Sequence, residues 1–531
     1  MIWTKLRRRL RRESAALGGA AVGLPTGFAA AVGAAVHGGG EAVDRLVDML
    51  ASIDAAGDTE LASSALDQLA GAPKAVVRLD EHARRELWYT QRYRPLIAGV
   101  VSRLDEGSIG PVGLALASTH GDGRVREAAV AQILAAETAE LVPFLVVRTS
   151  DWVKQVRDRA CAGLALLLTE DPVRMLPAAI GTTLQLDRRR RGGFARTQLA
   201  AGLISAPVAL REQLAALPDR DQRRFVFDVG LAHRWWQLEL LVSFAESDPD
   251  IRIRTRAAEA ACRDAVWTRR LALLQRLAGS RRPEIRVLAL TGLIRAGQDG
   301  QVAGRLDDAS ALVRAVAREA ARRVGIDAPA HYRQAVAHTS PALGAIAGLA
   351  ETGSFSDAAR VADLLAHPQA KVRAAAVRGL RQLGGVQADE MVALLRDPSS
   401  AVVREATAAL RPLNRTVAVS SLWQMLAEQR VELRRAGYRL LRGQATAVQL
   451  RAALILATDS DPRLAQRGRQ DATRLARDAA SPAWRRPSEP ALSVNADELN
   501  DLEQLAAHAV ASIGQETTTL LLAWIRKSRP R

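Results

Sequence analysis

Cysteine, lysine and aromatic residues are scarce in this chain of 531 residues. Its two cysteines, Cys161 and Cys262, are too few for a disulfide framework, and each stands beside alanine as a small buried residue of a helix would. Aromatic residues make up only 4%, whereas alanine, leucine and arginine abound, which favours packed helices over strands. The eight histidines lack the spacing of metal ligands, so we expect neither a metal nor a cofactor.

The sequence motifs of the common enzyme classes are also missing. There is no H-E-x-x-H, no C-x-x-C, no phosphate-binding P-loop, no G-x-S-x-G turn and no Rossmann fingerprint. These motifs supply metal ligands, nucleophiles or phosphate-binding amides at fixed spacings, so their absence excludes the enzymes that depend on them. The absence of these motifs does not exclude every enzyme, and of the two classes we expect a protein that is not one.

Positive charge exceeds negative charge by 17, and nearly all of it is arginine. Only five of the 74 basic residues are lysine, which leaves 69 arginines. A field of this sign favours anionic partners, such as nucleic acid, acidic protein segments or anionic lipid. Genome base composition accounts for the preference for arginine over lysine, but it does not by itself explain the surplus of positive charge. Whether that surplus is functional or compositional stays open.

Between Ser356 and Leu441 the chain repeats itself three times, as LLAHPQAKVRAAAVRGL, LLRDPSSAVVREATAAL and MLAEQRVELRRAGYRLL. Arg373, Arg404 and Arg434 align with steps of 31 and 30 residues. Each copy has an apolar helix end, a short polar turn and a second helix rich in alanine and leucine. Two helices in a period of about 30 residues predict an all-α fold, an α-solenoid superhelix of about 12–14 antiparallel helix pairs.

The pattern D/H-P-x-x-x-V-R-x-x-A-x-x-x-L resembles the HEAT repeat, in the short form of bacterial proteins and of phycobilin-lyase-type proteins. It recurs with decay between Asp122 and Asp461 and covers about three-quarters of the chain. The aligned arginines are Arg126, Arg157, Arg254, Arg286, Arg314, Arg373, Arg404 and Arg434.

The resemblance implies that the turn aspartate and the repeat arginine pair between adjacent repeats as a polar ladder. The arginine follows the aspartate by six or seven residues, as in Asp151/Arg157, Asp248/Arg254, Asp308/Arg314 and Asp397/Arg404. We therefore expect these arginines, Arg404 among them, to be structural. Other arginines of the second helices are freer to line a concave face: Arg252, Arg256, Arg318, Arg378, Arg381, Arg435 and Arg439.

Five segments are expected along the chain: a basic, Gly/Ala-rich segment (1–40), a helical cap (41–110), the HEAT-repeat array (111–478), a proline-rich linker (479–495) and C-terminal helices with a basic tail (496–531). Gly57-Asp58 should separate two helices of the cap. Asn495, with Glu498 three residues later, predicts the start of a capped helix.

The first segment leaves localisation open. MIWTKLRRRLRR precedes 27 residues without any Asp, Glu, Lys or Arg, which is the layout of a signal peptide or membrane anchor. Its apolar character is weakened by Pro25 and by glycines within it: Gly18, Gly19, Gly23, Gly27 and Gly33. We expect a cytoplasmic protein. The alternatives are anchoring or export through residues 1–40 and peripheral contact of the basic helix with an anionic membrane.

Charge concentrates where the repeat pattern blurs, between Leu186 and Phe244. A run of four arginines stands before Gly192-Gly193, as a loop or helix end would, and an Arg-Trp-Trp sequence follows. The candidate residues for binding an anion or a partner are Arg188, Arg189, Arg190, Arg191, Arg234, Trp235 and Trp236. Trp88, Tyr89 and Tyr93 also lie among arginines, either to seal the first repeat's core or to stack on bases.

Two functions remain open. The first is a scaffold or adaptor that binds a protein partner through its concave face, with an anionic ligand as an additional feature. The alternative is nucleic-acid binding, with HEAT-like DNA glycosylases as its extreme case. Those enzymes use aromatic residues and a carboxylate that faces the lesion, for which Asp151-Trp152 and Trp235-Trp236 are the candidates. A phycobilin-lyase-like role rests on repeat type alone.

Overall fold

A computed structural model of the chain describes residues 23–85, 91–189, 191–480, 492 and 494–529. The model is 78% helical, and none of these residues lies in a strand. The chain divides into two compact units, Met1–Asp264 and Ala265–Arg531. The all-α solenoid fold predicted from the repeat period is confirmed.

The first fifteen described helices reach the unit boundary, which falls within the last of them. They are α1 (Phe28–His37), α2 (Gly40–Ala56), α3 (Thr59–Ala70), α4 (Pro73–Arg85), α5 (Arg94–Glu106), α6 (Pro111–Ala117), α7 (Gly123–Ala136), α8 (Val142–Arg148), α9 (Lys154–Glu170), α10 (Pro172–Gln185), α11 (Gly193–Ser205), α12 (Val208–Ala215), α13 (Arg220–Ala232), α14 (Leu238–Ser247) and α15 (Ile251–Trp267).

The second unit continues in the same way. Its helices are α16 (Leu271–Ala278), α17 (Pro283–Arg295), α18 (Asp299–Ala303), α19 (Ala311–Arg323), α20 (Ala328–Val336), α21 (Leu343–Thr352), α22 (Ala358–Ala362), α23 (Ala370–Leu383), α24 (Ala388–Leu394), α25 (Ser400–Leu410), α26 (Val419–Leu426), α27 (Val431–Leu441), α28 (Thr446–Ala457), α29 (Pro462–Ala480), α30 (Ala496–His508), α31 (Val510–Ile513) and α32 (Gln515–Lys527). Short 3-10 helices span Gln91–Tyr93, Ala139–Leu141, Leu186–Arg188, Phe355–Asp357, Asp363–Ala366 and Arg411–Thr416.

The predicted helix break at Gly57-Asp58 is confirmed. Gly57 ends α2 with a φ of 64°, a left-handed conformation that costs glycine little because it has no Cβ. The carboxylate of Asp58 then accepts hydrogen bonds from the amides of Glu60 and Leu61, at 2.9 and 3.0 Å. These bonds satisfy two of the four free amides at the start of α3.

In the second unit, second helices of successive pairs pack side by side. These helices form the second-helix row, which consists of α19, α21, α23, α25 and α27. Val372, Ala376 and Leu380 of α23 lie at intervals of four residues and are at most 2% exposed. This spacing places the three side chains on one face of the helix, which is therefore its core face.

The predicted start of the last helical segment is also confirmed. The side chain of Asn495 accepts from the amide of Glu498 at 2.9 Å, and the carboxylate of Glu498 accepts from the amide of Asn495 at 3.1 Å. This capping box begins α30, which packs with α32 on a core that includes Leu502 and Leu521. Of the predicted linker, residues 481–491 and 493 lie outside the described residues, and the segment bounds stay a prediction.

Residues 1–22 likewise lie outside the described part of the chain, with the basic N-terminal helix that the sequence predicts. Among the residues that the structure describes, the helices are all too short or too polar to cross a membrane.

Candidate anion-binding face

Eight arginines, four in each unit, occupy one equivalent position near the start of a repeat's second helix. Each donates a hydrogen bond from Nη1 to the carbonyl oxygen six residues earlier, at 2.7–3.0 Å. Because that carbonyl lies in the turn between the two helices, the guanidinium satisfies an acceptor left free there. These ladder arginines are Arg126, Arg157, Arg223, Arg254, Arg286, Arg314, Arg373 and Arg434.

Four ladder arginines also reach the next repeat, where each guanidinium donates to both oxygens of a turn aspartate. The pairs are Arg126–Asp151, Arg286–Asp308, Arg373–Asp397 and Arg434–Asp459, with distances of 2.6–3.0 Å. The aspartate also accepts from the amide two residues later, at 2.7–2.9 Å. The ladder between adjacent repeats is thus confirmed, but its partners are 22–25 residues apart.

The prediction that Arg404 belongs to the ladder is wrong. Its side chain is 60% exposed, and its nearest carboxylate is that of its neighbour Glu405, at 3.6 Å. The ladder position in this repeat, six residues after Asp397, is held by Val403, whose side chain has no hydrogen-bond donor. Arg430 of the next turn donates instead to the carbonyls of Asp397 and Pro398, at 3.1 and 3.2 Å.

Arg223 is a ladder member that the sequence analysis missed. It lies six residues after Leu217, so leucine holds the position of the expected aspartate, and Asp219 of the same turn caps α13 instead. A constant offset of six residues from the turn residue would have included Arg223 and excluded Arg404, which lies seven residues after Asp397.

Five of the seven arginines expected to be freer are neutralised by carboxylates. Arg252 and Arg256 share Asp228, and Arg318 pairs with Glu351 at 2.7 Å. Arg378 and Arg381 share Glu405, at 2.9 and 3.6 Å.

Arg435 and Arg439 of α27 are the two exceptions. Neither has a carboxylate within salt-bridge distance among the described residues. The same holds for Arg411, which follows α25 at the start of a 3-10 helix. The excess positive charge of the second-helix row is therefore concentrated at α25 and α27.

A pocket of about 160 Å³ lies between α25 and α27. Its wall combines three arginines with small, hydroxyl and acidic side chains: Ser400, Val403, Arg404, Thr407, Glu432, Arg435, Ala436 and Arg439. Partial burial, and then the charges of Arg435, Arg411, Arg404 and Arg467, lower the pKa of Arg439 below its usual value. The arginines thus repel one another, and an anion in the pocket would relieve that repulsion.

The candidate run Arg188–Arg191 does not present four equivalent charges. Arg189 donates to Asp80 at 3.1 Å and to Glu81 at 3.2 Å, both in α4, and so has two carboxylate partners. Arg188 ends a 3-10 helix, and Arg191 is exposed before α11. Arg190 lies outside the described residues. A binding role for the run stays a prediction.

The three other candidates lie between α13 and α14 and differ in exposure. Trp236 is 7% exposed, donates from Nε1 to the carbonyl of Phe227 at 3.1 Å, and packs on Phe227 and Phe244. Trp235 is half-buried beneath the guanidinium of Arg211, whose carbon lies 4.4 Å from the ring centroid. Arg234 is exposed with a φ of 54°. The ring of Trp236 is therefore part of the core.

Asp151, nominated as a glycosylase-like carboxylate, is fully buried. Its carboxylate accepts from Arg126 and from Arg148 at 3.0 Å, and Arg148 also pairs with buried Asp80. Trp152 beside it is 62% exposed, and the guanidinium carbon of Arg126 lies 5.5 Å from its ring centroid. A carboxylate saturated in this way cannot face a substrate.

The other aromatic and sulfur side chains considered as candidates are structural residues of the fold. Tyr93 is 6% exposed and donates to Asp44 at 3.3 Å, whereas Trp88 and Tyr89 lie outside the described residues. Both cysteines are free thiols, and burial raises the pKa of Cys161 to about 11 and that of Cys262 to about 12. Within the described ranges, no group of His, Cys, Asp and Glu side chains could hold a metal ion.

Comparisons with known proteins leave the chain without a named family. No family model matches it, and no curated protein matches it. Among solved structures it is similar to two engineered proteins from a structural genomics consortium. One is 14% identical with a TM-score of 0.16, over 90% of this chain and 98% of the other. The second is 16% identical with a TM-score of 0.17, over 55% and 97%. Neither similarity is close enough to indicate a function.

Proposed function

We propose that this protein is a non-enzymatic helical-repeat scaffold that binds an acidic segment of a partner protein through the second-helix row of its second unit. The observation that supports this most directly is the group Arg411, Arg435 and Arg439. These arginines have no carboxylate partner in the described part of the chain, on a face where neighbouring arginines are neutralised. A guanidinium binds a carboxylate through two parallel hydrogen bonds, so acidic side chains of a partner could supply what is missing here.

We also propose that the repeats are of the HEAT type. The ladder supports this assignment, because a turn aspartate and a repeat arginine pair between adjacent repeats as the resemblance implies. The four two-oxygen pairs, such as Arg373–Asp397, occupy the same place in their repeats. Their charges are used within the fold and are not available to a partner.

The charge pattern favours a protein segment over nucleic acid. Glu432 lines the same pocket as Arg435 and Arg439, so this surface carries both signs of charge, whereas Glu405 is buried and bonded to Arg378. A nucleic-acid strand carries one charge about every 3.4 Å and would bring a phosphate close to Glu432. A peptide can place acidic residues opposite arginines and neutral residues opposite glutamates, which gives complementarity without repulsion.

The nucleic-acid alternative has less support at its candidate residues. The carboxylate of Asp151 is occupied by arginines, and the ring of Trp236 is buried against two phenylalanines. Base stacking needs an accessible aromatic face, which Trp236 does not offer.

Fluorescence anisotropy with a labelled acidic peptide of about 20 residues would test the proposal, with duplex DNA of about 20 base pairs as the comparison at about 150 mM salt. R435S/R439S should weaken peptide binding about tenfold. R281S/R295S is the matched control, because it removes two exposed arginines that lie several repeats before α25. It should leave binding within about twofold.

Two results would overturn the proposal. Duplex DNA that binds more tightly than the peptide would favour the nucleic-acid function instead. Equal loss of peptide binding in both double variants would show that net charge, and not this face, attracts the peptide.

A further inference from the structure

We infer that the pocket between α25 and α27 is a subsite for one phosphate monoester, so that the scaffold recognises a phosphorylated residue within the acidic segment. This inference rests on the proposed function and specifies the group that the site takes.

The size of the pocket fits a small anionic group. Its volume of about 160 Å³ is below the roughly 300–1,000 Å³ typical of pockets that enclose a drug-sized ligand. It can hold a phosphate with its ester carbon, whereas a nucleoside would extend beyond it. Arg404, Arg435 and Arg439 all border this one space.

The charge of the pocket fits a dianion better than a single carboxylate. Three arginines are opposed within the lining by Glu432 alone. Arg404 shares Glu405 with Arg378 and Arg381, so that one glutamate serves three arginines. A phosphate monoester carries about −1.5 to −2 charges near neutral pH and three acceptor oxygens, more than a glutamate side chain supplies.

The interruption of the ladder lies beside this space, because Val403 lines the pocket. In the other ladder repeats, an arginine at the position of Val403 fills the turn region and bonds to its carbonyls. Val403 is shorter, and Arg430 binds the two carbonyls from the next repeat. The arginine one position later, Arg404, borders the pocket and makes no ladder contacts.

Glu432 limits what else the pocket can hold. Its carboxylate lines the same space and would repel a second phosphate placed beside the first. The subsite is therefore suited to an isolated phosphate within a segment, not to the continuous phosphates of a nucleic acid.

Three labelled peptides of one acidic sequence would test this inference, with phosphoserine, glutamate or serine at the central position. The phosphoserine peptide should bind the parent protein about tenfold more tightly than the glutamate peptide. This preference should disappear in R435S/R439S and remain in R281S/R295S. R435K/R439K keeps the charge but loses the planar fork, so it should bind the glutamate peptide with a reduced phosphate preference.

A pH series adds a readout that a structural role would not change. The second pKa of a phosphate monoester is about 6, so the preference for phosphoserine should fall between about pH 7.5 and 5.5. Binding of the glutamate peptide should change little over that range, because its carboxylates stay ionised. Thermal melting of each variant should match that of the parent.

The remaining outcomes separate the two proposals. If glutamate and phosphoserine peptides bind equally, and both need Arg435 and Arg439, the phosphate subsite is overturned and the proposed function stands. If neither peptide depends on these arginines, both proposals fail. A 5′-phosphorylated oligonucleotide that competes as well as the phosphoserine peptide would overturn the assignment to a protein segment.

Discussion

Arg373 donates to both carboxylate oxygens of Asp397, at 2.8 and 2.9 Å, and to the carbonyl of His367 at 2.8 Å. One side chain thereby joins the turn of its own repeat to the turn of the next. Arg404 lies one repeat later in the sequence alignment, yet it has no such contacts. Its nearest carboxylate is 3.6 Å away.

Substitution should distinguish these two arginines. We expect Arg373→Ala to lower the free energy of unfolding by about 2–4 kcal/mol, because it leaves the largely buried carboxylate of Asp397 without its charged partner. Arg404→Ala should change it by no more than about 0.5 kcal/mol. Urea unfolding followed by circular dichroism would measure both, and equal losses would contradict the ladder assignment.

The ladder should also make stability depend on acid pH. Burial alone would raise the pKa of Asp397, but hydrogen bonds from Arg373 and from the amide of Ser399 outweigh it and lower that pKa. A carboxyl whose folded-state pKa is depressed contributes stability above its unfolded value of about 3.9, and loses it as the pH falls through the folded value. We therefore expect a steep loss of stability below about pH 4.

Asp397→Asn provides the control for this pH dependence. The variant should be less stable than the parent at pH 7, and the difference between them should shrink as the pH falls below about 4. Melting temperatures recorded between pH 7 and pH 3 would test it. A constant difference would show that Asp397 contributes through its shape and not its charge.

The core face of α23 predicts a packing effect. Leu380→Ala should cost about 2–4 kcal/mol in the surrounding repeats, because Leu380 is fully buried and its removal leaves a cavity. Leu312→Ala is the matched control, since Leu312 is 67% exposed on α19 and its loss should cost about 0.5 kcal/mol or less. Hydrogen exchange of the amides around each site would measure the local change.

The run Arg188–Arg191 still predicts anion binding, and single substitutions can divide its charges. Arg189→Ser should lower thermal stability, because Arg189 bonds to Asp80 and Glu81. Arg191→Ser should leave stability unchanged and, if the run binds polyanions, reduce the salt dependence of DNA binding by about 0.9 in the log–log slope. If Arg191→Ser leaves the salt dependence of DNA binding unchanged, the charge of the run reflects amino-acid composition and not a binding role.

Sequence alone could predict the helices because their signals are local. A period of about 30 residues, the cap of Asn495 and the break at Gly57 each depend on residues close in the chain. The carboxylate partners of the second-helix arginines could not be predicted in this way. Glu351 lies 33 residues after Arg318, and Glu405 lies 27 residues after Arg378, so only the packing of neighbouring repeats brings them together.

The sequence does not distinguish the candidate site from other arginines, for a related reason. Arg435 and Arg439 have sequence surroundings similar to those of the five other freer arginines. They differ from those five only in lacking a carboxylate partner. In the sequence, the contiguous run Arg188–Arg191 is easier to recognise than two arginines that differ from others only in lacking carboxylate partners. One offset in the sequence nevertheless marked the site: Val403 occupies the sixth position after its turn aspartate, where the ladder repeats have arginine.

The presence of valine at position 403, where the ladder repeats have arginine, has a mechanical consequence. Where a ladder arginine binds an aspartate, two repeats are joined by a two-oxygen ion pair. Between the repeats of α25 and α27, Arg430 bonds to two carbonyls instead, and the ion pair there, Arg396–Glu428 at 3.4 Å, is exposed. An exposed ion pair contributes only about 0–1 kcal/mol, whereas the ladder pairs are largely buried and bonded at both carboxylate oxygens. Under tension along the row, we expect this junction to yield before its neighbours, which a pulling experiment would detect as an early rupture absent from Val403→Arg.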